Sequence, residues 1–133
     1  MPARRVRVPG CGLLAAAMLA TVSGCRDSPL VDCDRTVQAE VASPDAVHKA
    51  AMLEVACGAT TRDAYWVLLT PADRGFSPER DRVAVFEGRP DALEWRDGVL
   101  HVDYGSAKPF LMNVHADGVR IVYSGTAAAA SGR

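Results

Sequence analysis

The side chains in this 133-residue sequence that are best suited to acid–base or metal chemistry are its histidines and their acidic neighbours. His101 and Asp103 stand two positions apart, a spacing that places both on the same face of a β-strand. Such a pair can bind a metal ion or carry a proton, and His115 could join it from a neighbouring strand. The alternative is that His101 lies opposite Glu94 as an ordinary exposed cross-strand pair. We favour this alternative and expect no catalytic residue, no metal ligand and no cofactor.

The motifs of common enzyme classes are missing from the sequence. Neither the G-x-S-x-G nor the S-x-x-K pattern of serine hydrolases occurs, although Ser106 and Lys108 stand close together. The glycine-rich patterns that bind phosphates and dinucleotides are absent as well. The sequence therefore gives no support for nucleophilic catalysis or for nucleotide binding.

The N-terminal segment 1–24 has the three-part layout of a secretory signal. It starts with a cationic stretch, continues with the uncharged apolar run 13–22 and ends in small residues before Cys25. A run of ten residues spans about 15 Å as a helix, roughly half of the ~30 Å hydrocarbon thickness of a bilayer. The run is therefore too short for a transmembrane helix.

The residues before Cys25 resemble a bacterial lipobox, in which small and aliphatic residues precede a lipid-modified cysteine. The resemblance implies that cleavage makes Cys25 the new N-terminus and that acyl chains (such as palmitate) are attached there. Each buried CH₂ group contributes about 0.8 kcal/mol, so several chains hold a domain on a membrane almost permanently. An aspartate directly after the lipid-modified cysteine resembles an inner-membrane retention signal. This chain has Arg26 at that position, so the resemblance implies the outer membrane. An ordinary secreted protein with a chance cysteine is the alternative.

Without the signal, 109 residues remain, enough for one domain with its own core. They carry 12 basic and 16 acidic side chains, a net charge near −4 that argues against nucleic acid or an anionic lipid surface as partner. Cys33 and Cys57 are left as an even pair in an oxidising compartment, so we predict a disulfide between them. A zinc site is the alternative, but the sequence around these cysteines has neither a C-x-x-C motif nor a nearby pair of histidines.

The mature chain divides into three parts. Residues 25–32 are a short polar tether, and the eight steps from Cys25 to Cys33 reach at most ~28 Å when fully extended. Residues 33–125 form the β domain, and residues 126–133 form a disordered tail. The domain is therefore expected to lie close to its membrane.

Several segments of the domain have the apolar patterns of strands. Residues 36–41 alternate as in a half-buried strand, residues 65–69 are apolar on both faces as in a central strand, and residues 82–87 form a short strand. Phe76 lies in the polar loop 71–81 between two of them. An apolar side chain there either anchors the loop or contacts another protein, and we mark Phe76 as a candidate partner contact.

Residues 43–58 fit either a capped helix or a strand. The sequences of residues 43–46 (SPDA) and 57–61 (CGATT) resemble a family of small uncharacterised bacterial lipoproteins, and the similarity extends over residues 33–123. The resemblance implies a hairpin turn at residues 43–46 followed by a strand, although Ala46 replaces the glycine of that turn. It brings no catalytic residue.

The dipeptides Asp97-Gly98 and Asp117-Gly118 predict two tight hairpins. The first places Trp95 opposite Leu100 on an apolar face. The second predicts four pairs, of which the last lies on the outer face: Ala116–Val119, Val114–Ile121, Met112–Tyr123 and His115–Arg120. The sequence thus predicts a mainly β fold, a small single domain with an antiparallel sheet built as a meander of hairpins and one disulfide.

Together these patterns predict a non-enzymatic lipoprotein of the bacterial envelope, facing the periplasm from the outer membrane. Its expected partners are the membrane, through lipid on Cys25, and an envelope protein that it binds or supports; nucleic acid is not among them. A periplasmic hydrolase or metal-dependent enzyme using the face of His101, Asp103 and His115 is the first alternative. Capture of a small ligand by the sheet is the second.

Overall fold

The computed structural model describes residues 33–58 and 61–126. The segments 1–32 and 127–133, and with them Cys25 and most of the predicted tail, lie outside the described residues. Within the described part, no helix is long and apolar enough to cross a membrane. The described residues form these elements: β1 (Asp34–Ala42), β2 (His48–Ala56), β3 (Ala64–Pro71), α1 (Pro78–Asp81), β4 (Arg82–Glu87), β5 (Ala92–Arg96), β6 (Val99–Gly105), β7 (Lys108–Met112), β8 (His115–Ala116) and β9 (Val119–Gly125).

The strands form two sheets. The large sheet has the order β1-β2-β3-β4-β7, and the small sheet has the order β5-β6-β9-β8. Neighbouring strands are antiparallel except for β6 and β9, which pair in parallel. The predicted mainly β fold with antiparallel hairpins is confirmed. The parallel pair was not predicted, and it forms because the chain crosses to the large sheet between β6 and β9.

The segment 43–58 is a hairpin turn followed by strand β2, which confirms the strand interpretation. Ala46 takes the left-handed conformation, with a φ of 59°, where glycine is usual. Two side chains support this turn. Asp45 Oδ1 accepts the Val47 N–H over 3.1 Å, and Ser43 Oγ accepts the His48 N–H over 3.0 Å. Such side-chain-to-backbone hydrogen bonds stabilise the turn without its glycine.

The main core lies between the two sheets and is lined by the inward faces of both. Phe86 of β4 is fully buried and stacks on Tyr104 of β6, with the ring centroids 5.4 Å apart. Burying a large apolar side chain of this kind contributes about 1.5–3 kcal/mol. The other buried members are Ala50, Met52, Tyr65, Val67, Leu69, Val83, Ala84, Leu93, Leu100, Val102, Ala107, Val119 and Ile121.

The outer face of the large sheet carries a second, smaller apolar cluster. Its buried members are Leu53, Val55 and Leu68, and half-buried side chains that include Trp66 and Phe76 pack against them. The loop that leads into α1 contributes Phe76 to this cluster. The cluster explains why β2 and β3 are apolar on both faces, as expected of central strands.

The two Asp-Gly turns form as predicted, with positive φ angles at Asp97, Gly98, Asp117 and Gly118. In the first hairpin Glu94 pairs with His101 and Trp95 with Leu100, which confirms the predicted register. In the second hairpin, the predicted pairs of His115 with Arg120 and of Ala116 with Val119 are also confirmed.

The predicted neighbours Val114 and Ile121 are joined by a hydrogen bond of 2.9 Å from the Ile121 N–H to the Val114 carbonyl, but beyond them the second hairpin departs from the prediction. Met112 pairs with Ala84 of β4 and not with Tyr123, because β7 leaves the hairpin and joins the edge of the large sheet. The Tyr123 hydroxyl donates a hydrogen bond to the Asn113 carbonyl over 2.7 Å, where the two strands separate. Met112 and Val114, predicted on the apolar inner face, are 38% and 56% exposed.

Candidate functional site

The outer face of the small sheet carries a concavity of about 240 Å³ that crosses β5, β6 and β9. We call it the polar concavity. It is lined by Ala92, Glu94, Arg96, His101, Asp103 and Ser124. Two of the three residues predicted as an alternative catalytic face, His101 and Asp103, therefore do line a common surface.

The hairpin register explains why these side chains face solvent. Trp95 and Leu100 pack in the core. Successive side chains of a strand point to opposite faces of the sheet, so the neighbouring pair Glu94 and His101 points outwards. Ser124 reaches the concavity because β9 pairs in parallel with β6. Sequence reasoning missed the parallel pairing, because no local signal in the sequence indicates it.

The charged groups of the concavity are compensated locally. Arg96 Nη2 lies 2.5 Å from Glu94 Oε2, and Arg96 Nε donates to the same oxygen over 3.1 Å. Asp103 Oδ1 accepts the Gly105 backbone N–H over 3.1 Å. Because the Glu94 and Arg96 side chains are more than half exposed, the pair contributes little to stability.

The arrangement differs from the catalytic triad of a serine hydrolase. In a serine hydrolase the histidine lies between the serine and the carboxylate. Here Ser124 is paired with Asp103, whereas the residue beside His101 on β9 is Val122. His115 stands on β8 opposite Arg120 and is not part of the lining of the concavity. Within residues 33–58 and 61–126, no group of three or more His, Cys, Asp or Glu side chains is placed to hold a metal ion.

The remaining predicted site residues lie on or near the large sheet. Cys33 and Cys57 form the predicted disulfide, which joins the start of β1 to the end of β2. Phe76 is half-buried against the outer cluster, and the Lys49 ammonium lies 5.0 Å from the centre of its ring. Phe76 therefore has the contacts of a loop anchor. Cys25 lies outside the described residues.

A buried carboxylate, Asp81 at the end of α1, was not predicted from the sequence. Its side chain is only 2% exposed, and its oxygens accept hydrogen bonds from Arg80 Nε at 2.8 Å and from the Ser77 N–H at 2.7 Å. The hydrogen bond from Arg80 and that from Ser77 lower the pKa of Asp81, although burial opposes the shift. This network fixes the loop that carries Phe76, so its role is structural.

His48, at the start of β2, lies beside Asp117. Its Nε2 is 3.1 Å from Asp117 Oδ2 and the His48 side chain is 18% exposed. The contact joins the start of β2 in the large sheet to the turn between β8 and β9. It therefore links the two sheets, and sequence reasoning missed it because the two residues are 69 positions apart.

Strand β7 exposes consecutive apolar side chains at the edge of the large sheet. Phe110 is 61% exposed, Leu111 37% and Met112 38%. We call these three residues the apolar edge. Sequence reasoning missed it because apolar residues in a strand normally indicate core, and the pattern does not show which strand ends a sheet.

Comparison of the chain with protein-family models, curated proteins and solved structures finds no match. The described residues form a small two-sheet β domain with one disulfide. Its notable surfaces are the polar concavity, whose charges are paired locally, and the apolar edge. The resemblance of residues 43–46 and 57–61 to a lipoprotein family stays a prediction.

Proposed function

We propose that this protein is a lipid-anchored envelope lipoprotein of bacteria that binds or supports another envelope protein and catalyses no reaction. The anchor is Cys25, which follows the signal-like segment 1–24 and the lipobox-like residues. The Cys33–Cys57 disulfide supports an oxidising compartment such as the periplasm. Arg26 after the cysteine supports the outer membrane.

The observation that carries the non-enzymatic part of the proposal is the pairing of charges in the polar concavity. A general base or nucleophile needs a partner that activates it and a position next to the reacting atom. In the concavity Glu94 is bound to Arg96, and Asp103 is bound to a backbone N–H. The arrangement resembles a solvated sheet face more closely than an active site.

The size of the concavity bears on the small-ligand alternative. Pockets that bury small ligands commonly measure about 300–1,000 Å³ and are mainly apolar. The concavity measures about 240 Å³, and Ala92 is the only apolar residue that lines it. Its dimensions and polarity favour contact with a protein surface over enclosure of a small ligand.

The proposal is tested by two variants in a strain that lacks the chromosomal gene. Cys25→Ser should abolish labelling by radioactive fatty acid and release the protein from the membrane fraction, because no other residue would carry the lipid. His101→Ala should keep the cellular phenotype of the wild-type gene and the crosslinks to envelope proteins that the wild type forms in living cells.

Two results would overturn the proposal. Undiminished fatty-acid labelling of Cys25→Ser would remove the anchor. A His101→Ala protein that folds normally but fails to complement the deletion would favour a hydrolase or metal-dependent enzyme. Arg120→Ala is the matched control, since Arg120 is exposed on the same sheet but does not line the concavity.

A further inference from the structure

The apolar edge has a composition that suits the boundary between water and lipid. Phe110 projects from β7 at a bulge: the pairing with β4 passes from Pro109 directly to Leu111 and leaves Phe110 without a partner. The Lys108 ammonium lies 5.2 Å from the centre of the Phe110 ring. An aromatic ring with a neighbouring lysine can bury its apolar part while the ammonium stays in water, as at membrane interfaces.

The register of the large sheet shows where the apolar edge lies relative to the tether. One row of paired residues crosses the sheet: Arg35, Val55, Ala64, Glu87 and Lys108. Cys33, where the tether joins the domain, precedes Arg35 by two residues, so Cys33 and Lys108 lie at the same end of the sheet. They are separated across the sheet by four strand spacings, about 19 Å.

We propose that the apolar edge of β7 inserts into the surface of the lipid bilayer to which the chain is attached. The inference rests on the proposed lipid anchor at Cys25. Since the tether reaches at most ~28 Å from Cys33, it keeps the end of the sheet that contains Lys108 within reach of the bilayer. A short tether gives a high effective concentration, so a few inserted side chains suffice to hold the domain in one orientation.

The insertion depends on apolar contact and needs no anionic headgroup. Phe110, Leu111 and Met112 carry no charge, and a zwitterionic phosphatidylethanolamine surface can receive them. The net negative charge of the mature chain, which disfavours electrostatic attraction to anionic lipid, is therefore compatible with the proposal.

A second copy of this chain fits the apolar edge less well. A stable protein interface buries about 800 Å² on each partner, which β7, five residues long, cannot provide alone. Pro109 lacks a backbone N–H, and the bulge at Phe110 interrupts the ladder; both features discourage the pairing of strands edge to edge. A bilayer needs neither a large area nor a complementary backbone.

Site-specific photocrosslinking in living cells tests the inference with the full-length protein. A benzophenone amino acid is placed by Phe110→p-benzoylphenylalanine or, as the matched control, by Val37→p-benzoylphenylalanine. Val37 is 54% exposed on β1, in the row of paired residues that contains Leu111, but at the opposite edge of the sheet. Since Val37 is closer along the chain to the anchor, the control is stringent.

We expect phospholipid adducts, identified by mass spectrometry, at position 110 in at least about fivefold excess over position 37. With the probe at Met112, Phe110→Ala should lower the lipid adducts severalfold, because loss of the ring reduces the ratio of inserted to free domain about tenfold. Val37→Ala should leave them unchanged.

The remaining outcomes overturn the inference in distinguishable ways. Protein adducts at position 110 would show that the apolar edge contacts a second copy of this chain or another protein and does not insert into lipid. Equal or absent lipid adducts at positions 110 and 37, in protein that incorporates radioactive fatty acid at Cys25, would refute the insertion and leave the anchor intact. Loss of fatty-acid labelling in the wild type would refute the anchor itself.

Discussion

Gly125, at the end of β9, has no room for a side chain, and Gly125→Ala is therefore expected to destabilise the fold. A Cβ atom added there would lie within 2.7 Å of three ring carbons of Tyr104. Tyr104 is 2% exposed and stacks on Phe86, which is fully buried, so the ring cannot move aside freely. The added methyl group must displace either the β9 backbone or the stacked rings.

The expected cost follows from overpacking against a buried ring, because Gly125 itself is exposed but Tyr104 is not. Extra methyl groups in well-packed sites destabilise proteins by about 1–3 kcal/mol. For a domain of about 100 residues, a loss of 2 kcal/mol lowers Tm by roughly 8–16 °C. Denaturant unfolding at 25 °C, followed by tryptophan fluorescence, measures the difference in the free energy of unfolding directly.

Gly75→Ala is the matched control, since a Cβ atom at Gly75 meets no other atom within 4 Å and needs no left-handed backbone. It should leave stability unchanged within about 0.5 kcal/mol or increase it slightly. If Gly125→Ala and Gly75→Ala unfold at the same denaturant concentration, the Tyr104 ring does not pack closely against Gly125 of β9.

Three further predictions concern the disulfide, the concavity and the buried carboxylate. Reduction of Cys33–Cys57 should cost about 3.5 kcal/mol on the chain-entropy model of a loop of this length, measured by unfolding with and without reductant. His101→Ala and Asp103→Ala should each change the free energy of unfolding by about 0.5 kcal/mol or less, because the hydrogen bond from the Gly105 N–H to Asp103 and the pairing of His101 with Glu94 lie on an exposed face. A larger loss would mean that these exposed contacts contribute more to stability than surface contacts usually do. Asp81→Asn should cost about 1–3 kcal/mol near pH 7 because it weakens charged hydrogen bonds to a buried group. The lowered pKa of Asp81 means that its ionised form stabilises the fold at neutral pH and that this contribution is lost as the pH falls below the ordinary aspartate value of about 3.9. The difference between wild type and Asp81→Asn should therefore shrink on acidification, and a constant difference would contradict the assignment.

The hairpins could be predicted from sequence because their signals are local. Asp97-Gly98 and Asp117-Gly118 specify tight turns within two residues, and strand alternation then sets the register around each turn. The disulfide followed from the count of cysteines. Residues 43–58 were ambiguous because Ser43 and Asp45 serve equally well to begin a helix and to stabilise a turn.

The contacts that sequence did not reveal are those between distant elements. Met112 leaves its hairpin because the edge of β4 offers backbone partners, and no local pattern encodes that competition. Asp81 looks like a surface residue in a polar loop until the fold buries it beside Arg80. The apolar edge has the same cause. In a simple meander Phe110 would be interpreted as a core residue, but β7 joins the edge of the large sheet and Phe110 is exposed there.

The most direct test of the central claim, the lipid anchor, is the intact mass of the wild-type protein extracted from the bacterial envelope. We expect a chain that begins at Cys25, lacks residues 1–24 and carries the mass of a diacylglyceryl group, with or without a further acyl chain. A chain that begins at another residue, or one that begins at Cys25 without any lipid mass, would contradict it.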